Sequence, residues 1–282
     1  MIYNNTTELL AILKGEKIWA QKKLGQNFLV NPEALKNIIK AADLTPQDYV
    51  LEVGPGLGIL TEQLARHAAK VTTIEFDANI IPVLRKNLLL ENIKNVEILN
   101  EDALKTELPT EPYKIVANIP YYITSPLLTH FLQPREPTQI RPTLIVLLIQ
   151  KEVAEKICTP DNGGDQSILS LQVQIFGKPE IVCTVGKSSF FPQPKVDSAV
   201  IKIQTYASPR ISNTAIFFKL IKAAFHQKRK TLNNSLGNGL KLTRDQTAKL
   251  FQTSGISPTQ RPQNLTIEEW EKLISAYANL AI

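Results

Sequence analysis

From Tyr49 onward the sequence alternates short apolar runs with amphipathic stretches, and no other feature constrains the fold as strongly. Residues 49–53, 71–74, 95–99, 113–117 and 143–149 read as buried strands. Between them, Leu57, Leu60, Leu64 and Ala68 form a helical stripe, and further helices are expected over roughly 77–91, from Ser125 and from near Gln150. Strands alternating with helices imply a mostly parallel sheet covered on both faces. The pattern changes after Gly177. Residues 181–185 and 196–204 read as strands whose connection is too short for a helical crossover, so an antiparallel pair is expected there. Beyond Pro209 everything reads helical, over 215–225, 229–236, 244–251 and 267–276, with Gly237 and Gly239 punctuating the second and third of these segments. Upstream, Asn31-Pro32-Glu33 is a helix start: a cap, a proline in the first turn, then an acid. The expected organisation is a basic arm over 1–23, an α/β domain over 24–208 and an all-helical domain over 209–282.

In an open parallel sheet, ligands bind beyond the carboxyl ends of the strands, where the strand order reverses. This chain places a distinctive group at each such end. The first strand runs into Gly54-Pro55-Gly56-Leu57-Gly58, where glycine lets the backbone turn tightly and approach a ligand. The second ends in Glu75, an acid able to accept two hydrogen bonds from a ribose diol. Asp102 follows the third strand, and Asn118-Ile119-Pro120-Tyr121 closes the fourth. The glycine spacing differs from a dinucleotide fingerprint and no phosphate-binding lysine accompanies it, which favours a nucleoside ligand without a pyrophosphate.

Charge and composition narrow the class. The net charge is +6, yet from Arg210 to the end there are 11 Lys and Arg against 4 Asp and Glu, so the whole excess lies in the last quarter. A polyanionic partner is the natural reading. The two cysteines, Cys158 and Cys183, are far apart, and with 3 histidines they leave no basis for a disulfide framework, a zinc site or any other metal centre. The densest apolar run, 144–149, is too short to cross a bilayer, and the polar start shows no signal peptide, so no membrane partner and a cytoplasmic location are expected. No heptad seam is present, which points to a monomer.

The motifs together resemble the rRNA adenine N6,N6-dimethyltransferases, and within that family its small-subunit branch. The matching stretches are Leu24-Gly25-Gln26-Asn27-Phe28-Leu29, Glu52-Val53-Gly54-Pro55-Gly56, Asn118-Ile119-Pro120-Tyr121, Pro194-Lys195-Val196-Asp197-Ser198 and the segment from Lys228 to Leu236. The resemblance runs from Lys22 to the end, and the first 20 residues have no assignable counterpart. It implies a Rossmann-like class I methyltransferase domain, its mostly parallel sheet ending in an antiparallel strand, followed by a small helical domain. It also implies S-adenosylmethionine as cofactor and rRNA of the small ribosomal subunit or its precursor as partner, with no DNA. By resemblance, Asn27 and Leu29 close over the cofactor, and Gly54 and Gly56 lie against its methionine portion. Glu75 holds the ribose, Asp102 accepts from the adenine amine, and Asn118 sits between cofactor and substrate. RNA contacts fall to Lys22, Lys23, Lys228, Arg229 and Lys230.

The implied catalytic set is Asn118, Ile119, Pro120, Tyr121 and Phe190. Adenine N6 is a poor nucleophile because its lone pair is delocalised. Two acceptors, the Asn118 side-chain oxygen and the Ile119 carbonyl, would hold the amine and favour a tetrahedral nitrogen, while Pro120 restricts the backbone there and keeps Ile119 extended. The target base must leave its helix. Tyr121 would stack on it and Phe190 would cover its other face, although the neighbouring Phe191 is an equal candidate by sequence. The competing readings are a large-subunit dimethyltransferase of the macrolide-resistance type and a non-catalytic assembly or transcription factor that keeps the fold. The intact Asn-x-Pro-Tyr motif speaks against the second, and the segment from Lys228 to Leu236 speaks against the first.

Overall fold

A computed structural model describes residues 2–133, 140–161, 165–227 and 229–280 of the chain; the side chain of Lys22 is not described. The chain forms two compact units, one of residues 1–154 and 179–205, the other of residues 155–178 and 206–282.

The first unit opens with α1 (Thr6–Gly15), started by the Asn5 side chain, which accepts the Glu8 N–H. A single 3-10 turn (Lys22–Leu24) leads to the two-residue strand β1 (Phe28–Leu29) and to α2 (Pro32–Ala42). The Asn31 side chain caps α2 by accepting the N–H groups of Glu33 and Ala34, as the Asn-Pro-Glu signature requires. Then come β2 (Tyr49–Val53), α3 (Ile59–His67), β3 (Lys70–Ile74), α4 (Ile81–Leu90), β4 (Val96–Leu99), β5 (Lys114–Asn118), α5 (Thr124–Leu132), β6 (Leu144–Gln150) and α6 (Lys151–Ile157). The expected strands all form. α4 begins about a turn later than expected because Asp77 accepts the Asn79 N–H on its side chain and the Ile80 N–H on its carbonyl, which holds the entry as a turn.

Further along the chain lie α7 (Ile168–Gln174), β7 (Gly177–Val185), β8 (Phe190–Phe191) and β9 (Ser198–Thr205). The sheet has 7 strands in the order β4-β3-β2-β5-β6-β9-β7. The pairs β2·β3, β3·β4, β2·β5 and β5·β6 are parallel, and β6·β9 is antiparallel. The chain therefore leaves β2 toward β3 on one side and returns to β5 on the other, which opens a crevice above the carboxyl ends of β2 and β5. β1 and β8 form a separate antiparallel pair, Phe28 opposite Phe191 and Leu29 opposite Phe190, that no sequence period announced. The N-terminal residues are built into the same core: Tyr3, Leu9 and Leu13 are buried in it with Leu35, Ile38, Leu60 and Leu64.

The helical unit contains α8 (Thr214–Phe225), α9 (Leu232–Leu240), α10 (Arg244–Ser254) and α11 (Ile267–Ala278). Trp270 meets Phe217 edge-on and Phe225 face-on at its centre. Sequence placed 24–208 in one domain, whereas 155–178 belongs to this helical unit. The reason is a set of bonds into it. Arg210 pairs with Asp161 at 2.7 Å and Glu268 at 2.7 Å, the Ile267 N–H donates to Asp161 at 3.1 Å, and Tyr206 and Arg210 donate backbone N–H groups to Phe176 and Ile175. Two further differences concern α9. Gly237 and Gly239 lie inside this helix rather than at its ends. A Cβ at Gly239 would lie 2.9 Å from the Ala223 Cα and 3.0 Å from its carbonyl oxygen, so glycine here permits close approach to α8.

The nearest atom to that Cβ would be the Ala223 Cβ at 2.8 Å, and neither it nor the backbone beside it can rotate away. Gly239→Ala should lower stability by about 1–3 kcal/mol, as overpacking does, read as an earlier urea unfolding midpoint. An unchanged midpoint would show that α8 and α9 can separate freely.

Candidate functional site

The carboxyl ends of β2, β3 and β5, the segment after β4, and the strap between α1 and β1 together line one pocket of about 240 Å³. Of the residues expected to act there, Asn27, Leu29, Gly54, Gly56, Glu75, Asp102, Asn118, Ile119, Pro120 and Tyr121 all line it. Phe190 does not. The floor is the turn after β2, where Gly54, Gly56 and Gly58 hold φ of 70°, 55° and 96°, in the left-handed region. The Gly54 N–H donates to Ile74 O at 3.0 Å, which ties the turn to β3.

Glu75 sits directly beyond β3 and is buried. One carboxylate oxygen accepts the Asp77 N–H at 2.8 Å and the other the Gly56 N–H at 3.3 Å. Burial pushes its pKa up, and these backbone donors oppose the shift. Asp77 in turn accepts the side-chain amides of Gln21 at 2.8 Å and Gln26 at 3.1 Å, so the strap is clamped beside Glu75. Asp102 keeps one oxygen on the Leu104 N–H at 3.0 Å, which makes it a local cap as well as a lining residue.

Asn118 ends β5. Its Nδ2 donates to the Asn27 carbonyl at 3.2 Å, while Asn27 Nδ2 donates to Gly25 O at 3.1 Å. A donor facing a carbonyl fixes the amide orientation, so the Asn118 oxygen faces away from the strap and has no protein partner among the described residues. Pro120 holds φ −57° and ψ 133°, and the chain then tightens into a 3-10 turn (Tyr121–Ile123). The Tyr121 hydroxyl bonds Ser198 Oγ of β9 at 2.6 Å. Burial raises the Tyr121 pKa, the Ser198 bond opposes that shift, and the hydroxyl stays neutral. This bond gives the Pro194–Ser198 motif a structural role: Ser198 anchors the ring while the Asp197 carboxylate accepts the Lys187 N–H at 2.9 Å. A second, more open recess adjoins the pocket, lined by Gly25, Asn27, Tyr121, Tyr122 and Gln150.

Phe190 and Phe191 take opposite sides of β8. Phe190 is 3% exposed within the apolar core, so it is packed away from the site, and Phe191 is the more exposed of the two. Of the basic residues, Lys23 is exposed, the backbone of Lys22 starts the 3-10 turn, and Lys228 lies outside the described residues. Arg229 and Lys230 are exposed but do not lie in a helix, as sequence had suggested. They form the turn before α9, where the Lys230 N–H donates to Gln227 O at 2.9 Å, because Thr231 takes the extended cap conformation. Sequence reasoning missed four lining or anchoring residues. Tyr122 neighbours the motif and could have been read from it. Glu52 and Ser198 lie in the motifs Glu52–Gly56 and Pro194–Ser198, which do not by themselves reveal their roles, and Tyr3 carries no signal that separates it from a polar start.

A family model described as ribosomal RNA adenine dimethylase matches residues 19–279. The chain is similar to the ribosomal RNA small subunit methyltransferase A of Alkaliphilus metalliredigens, 39% identical over 279 residues that cover 95% of each chain. It is similar to a protein of the same name from Dehalococcoides mccartyi, 41% identical over 276 residues, 95% of this chain and 91% of the other. Among solved structures it is similar to a dimethyladenosine transferase from Plasmodium falciparum, with TM-score 0.75 and 32% identity, covering 89% of this chain and 97% of that one. It is also similar to the 23S rRNA methyltransferase ErmE, with TM-score 0.69 and 29% identity, covering 90% of this chain and 100% of that one.

The pocket is unusually acidic. Glu52, Glu75, Glu101 and Asp102 line it, and no Lys, Arg or His does. Glu52 is fully buried in β2 and accepts Thr61 Oγ1 at 2.6 Å. Burial pushes its pKa up to about 8; the Thr61 bond opposes the shift and the nearby Glu75 charge adds to it. Folding therefore takes up a proton that the unfolded chain has released above its ordinary carboxyl value. The associated stability is present in full below that value and is lost as pH rises toward 8. Glu52→Gln keeps an acceptor for Thr61 and cannot ionise. Its stability should lack the wild-type decline between pH 5 and 8 and exceed the wild type at pH 8 by an amount on the order of a few kcal/mol, read as a higher melting temperature. Parallel pH profiles for the two proteins would show that Glu52 does not titrate in this window.

Proposed function

The chain belongs to the ribosomal RNA adenine dimethylase family, and from that premise we propose that it transfers methyl groups from S-adenosylmethionine to N6 of two adjacent adenosines near the 3′ end of small-subunit rRNA. The observation that carries the cofactor assignment is the pocket's donor set. An acidic lining with no basic side chain, in which Glu52 is kept protonated by burial, suits a cationic nucleoside better than a phosphorylated one. The small-subunit assignment draws on the named relatives at about 40% identity. The family and the pocket make the protein an enzyme in which a binding-only role would leave the Asn118–Tyr121 geometry unexplained.

When bound, S-adenosylmethionine supplies an electrophilic methyl group on a sulfonium. The chain's own residues do the rest. Glu75, steadied by the N–H groups of Gly56 and Asp77, would take the ribose hydroxyls. The Asp102 oxygen not bonded to Leu104 would accept from the adenine amine. Gly54 and Gly56 leave the backbone open to the methionine part, and Asn27 and Leu29 close the pocket from the strap.

On the substrate side, the unpartnered Asn118 oxygen and the Ile119 carbonyl are positioned to hold the target amine. Pro120, which follows them, restricts the backbone there and keeps Ile119 extended. Accepting both amine hydrogens turns the nitrogen lone pair toward the methyl donor, which is catalysis by orientation and charge placement. Tyr121, fixed by Ser198, offers its ring to an extruded base. Phe190 is buried and does not line the pocket, so this reading gives it no face of the base. The adjoining recess, with the exposed Tyr122 at its edge, is the space for the base and its 3′ or 5′ neighbour. Lys23, Arg229 and Lys230 would contact phosphates.

The deciding experiment supplies labelled S-adenosylmethionine with undermethylated small-subunit particles or large-subunit RNA, followed by nuclease digestion and mass detection of N6,N6-dimethyladenosine. Two dimethylated adjacent adenosines in the small-subunit RNA are expected. Transfer to the large-subunit RNA alone would assign the other branch, and binding without transfer would assign a binding protein. In that assay Asn118→Ala should cost about 100- to 1,000-fold in kcat, the range seen when a preorganised polar group at the reacting centre is removed, with RNA affinity unchanged. A matching loss of RNA affinity would place Asn118 in the RNA surface instead. Neutralising Arg229 and Lys230 to Gln should flatten the salt dependence of RNA binding by about 0.7–0.9 per lost phosphate contact. An unchanged slope would move the RNA surface elsewhere.

A further inference from the structure

One wall of the pocket lies outside the matched family region, which begins at residue 19. Tyr3 lines the pocket and is 1% exposed. The segment that carries it is held on both sides. The Ile2 N–H donates to Glu62 Oε2 at 3.0 Å, and the Ile2 side chain reaches Gly58, where a Cβ would lie 3.3 Å from its Cδ1. On the other side the Asn4 N–H donates to Glu8 Oε2 at 2.6 Å, Leu9 and Leu13 are buried in the core, and Glu16 pairs with Lys86 of α4. Tyr3 therefore enters the pocket beside the glycine turn and the first turn of α3, and is not part of a loose arm.

Its hydroxyl has no hydrogen-bond partner in the protein among the described residues. A buried hydroxyl ordinarily finds one. The sealed and unpaired polar atoms of the fold, such as Trp270 Nε1, do not include this oxygen, which opens on the pocket instead. Burial with nothing to stabilise a phenolate drives the phenol pKa far up, so the group is a neutral donor at any working pH. The carboxyls that line the pocket supply acceptors, and Tyr3 is a donor placed among them without an acceptor of its own.

We propose that the Tyr3 hydroxyl donates a hydrogen bond to S-adenosylmethionine, and that residues 2–15 form the outer wall of the cofactor pocket. The proposal rests on the cofactor reading above. It makes Tyr3 a binding residue that the family motifs do not contain, and it gives the N-terminal segment a function beyond packing.

The test is calorimetric titration of the full chain with S-adenosylhomocysteine, with the melting temperature of the ligand-free protein measured alongside. Tyr3→Phe keeps the ring and removes only the hydroxyl. It should bind three- to tenfold more weakly, as the loss of one hydrogen bond does. Its ligand-free melting temperature should be unchanged or higher, because an unpaired buried hydroxyl is removed. Equal affinity for Tyr3→Phe and wild type would overturn the proposal, and so would weaker binding accompanied by a lower ligand-free melting temperature, which would assign the hydroxyl to the fold. A wild-type chain that binds no S-adenosylhomocysteine would overturn the cofactor reading itself, so the two failures are separable.

Discussion

The backbone reversal after β2 is the constraint on which the rest of the site depends. Three glycines within five residues adopt positive φ, so the chain can turn directly under the pocket and start α3 without a side chain in the way. A Cβ at Gly58 would stand 2.7 Å from Leu84 Cδ1, and one at Gly56 would stand 3.2 Å from the Phe28 ring. The same turn presents the Gly56 N–H to Glu75 and the Gly54 N–H to the end of β3. An acid at the end of β3 is thus oriented by the end of β2. The crevice at the order reversal becomes a shaped pocket because these two strand ends are bonded to each other.

The strap before β1 completes that pocket by attaching to both of its sides. Gln21 and Gln26 hold Asp77 beside Glu75, on the cofactor side. The Asn27 carbonyl takes the Asn118 amide, on the substrate side. One short segment therefore fixes the acid proposed to hold the ribose and the orientation of the amide proposed to face the amine. The Asn118 oxygen is directed by a backbone group, which cannot reorient as a side chain could. This arrangement holds a reacting group through a supporting bond, and the catalytic proposal depends on that support.

Much of this was legible in the sequence, and the reason is locality. A strand followed by a glycine turn, or by Asn-Ile-Pro-Tyr, carries its geometry in adjacent residues, so strand ends and lining residues were readable for Gly54, Glu75, Asp102 and Asn118. What escaped depends on contacts between distant segments. The pairing of Phe28–Leu29 with Phe190–Phe191 joins residues about 160 apart, and a two-residue strand has no period from which to decide that Phe190 faces inward. The assignment of 155–178 to the helical unit rests on Asp161 meeting Arg210 and Ile267, which no composition shift announces. Gly237 and Gly239 looked like helix punctuation because glycine favours helix ends. Their positions inside α9 reflect the closeness of Thr247 to Gly237 and of Ala223 to Gly239, tertiary facts. Tyr3 looked like part of a polar start, and its burial depends on Glu62 receiving the Ile2 N–H.

The distribution of charge follows from the two ligands this reading requires. A sulfonium nucleoside and an RNA backbone carry opposite charge, and one surface cannot favour both. The carboxyls are gathered in the pocket, whose lining holds no basic side chain; Lys105, outside that lining, stands 3.8 Å from Asp102 Oδ2. The excess of positive charge falls after Arg210, with Arg229 and Lys230 on an exposed turn. A neutral set, Asn118, the Ile119 carbonyl and the Tyr121 ring, also lines the pocket, and in the proposed reading it orients an uncharged base. Neutrality there is useful: a full negative charge at Asn118 would bind the cationic cofactor in its ground state, whereas an amide oxygen accepts the amine hydrogens and acts mainly on the reacting geometry. An asparagine at the end of β5, and not an aspartate, is what the chemistry of that position calls for.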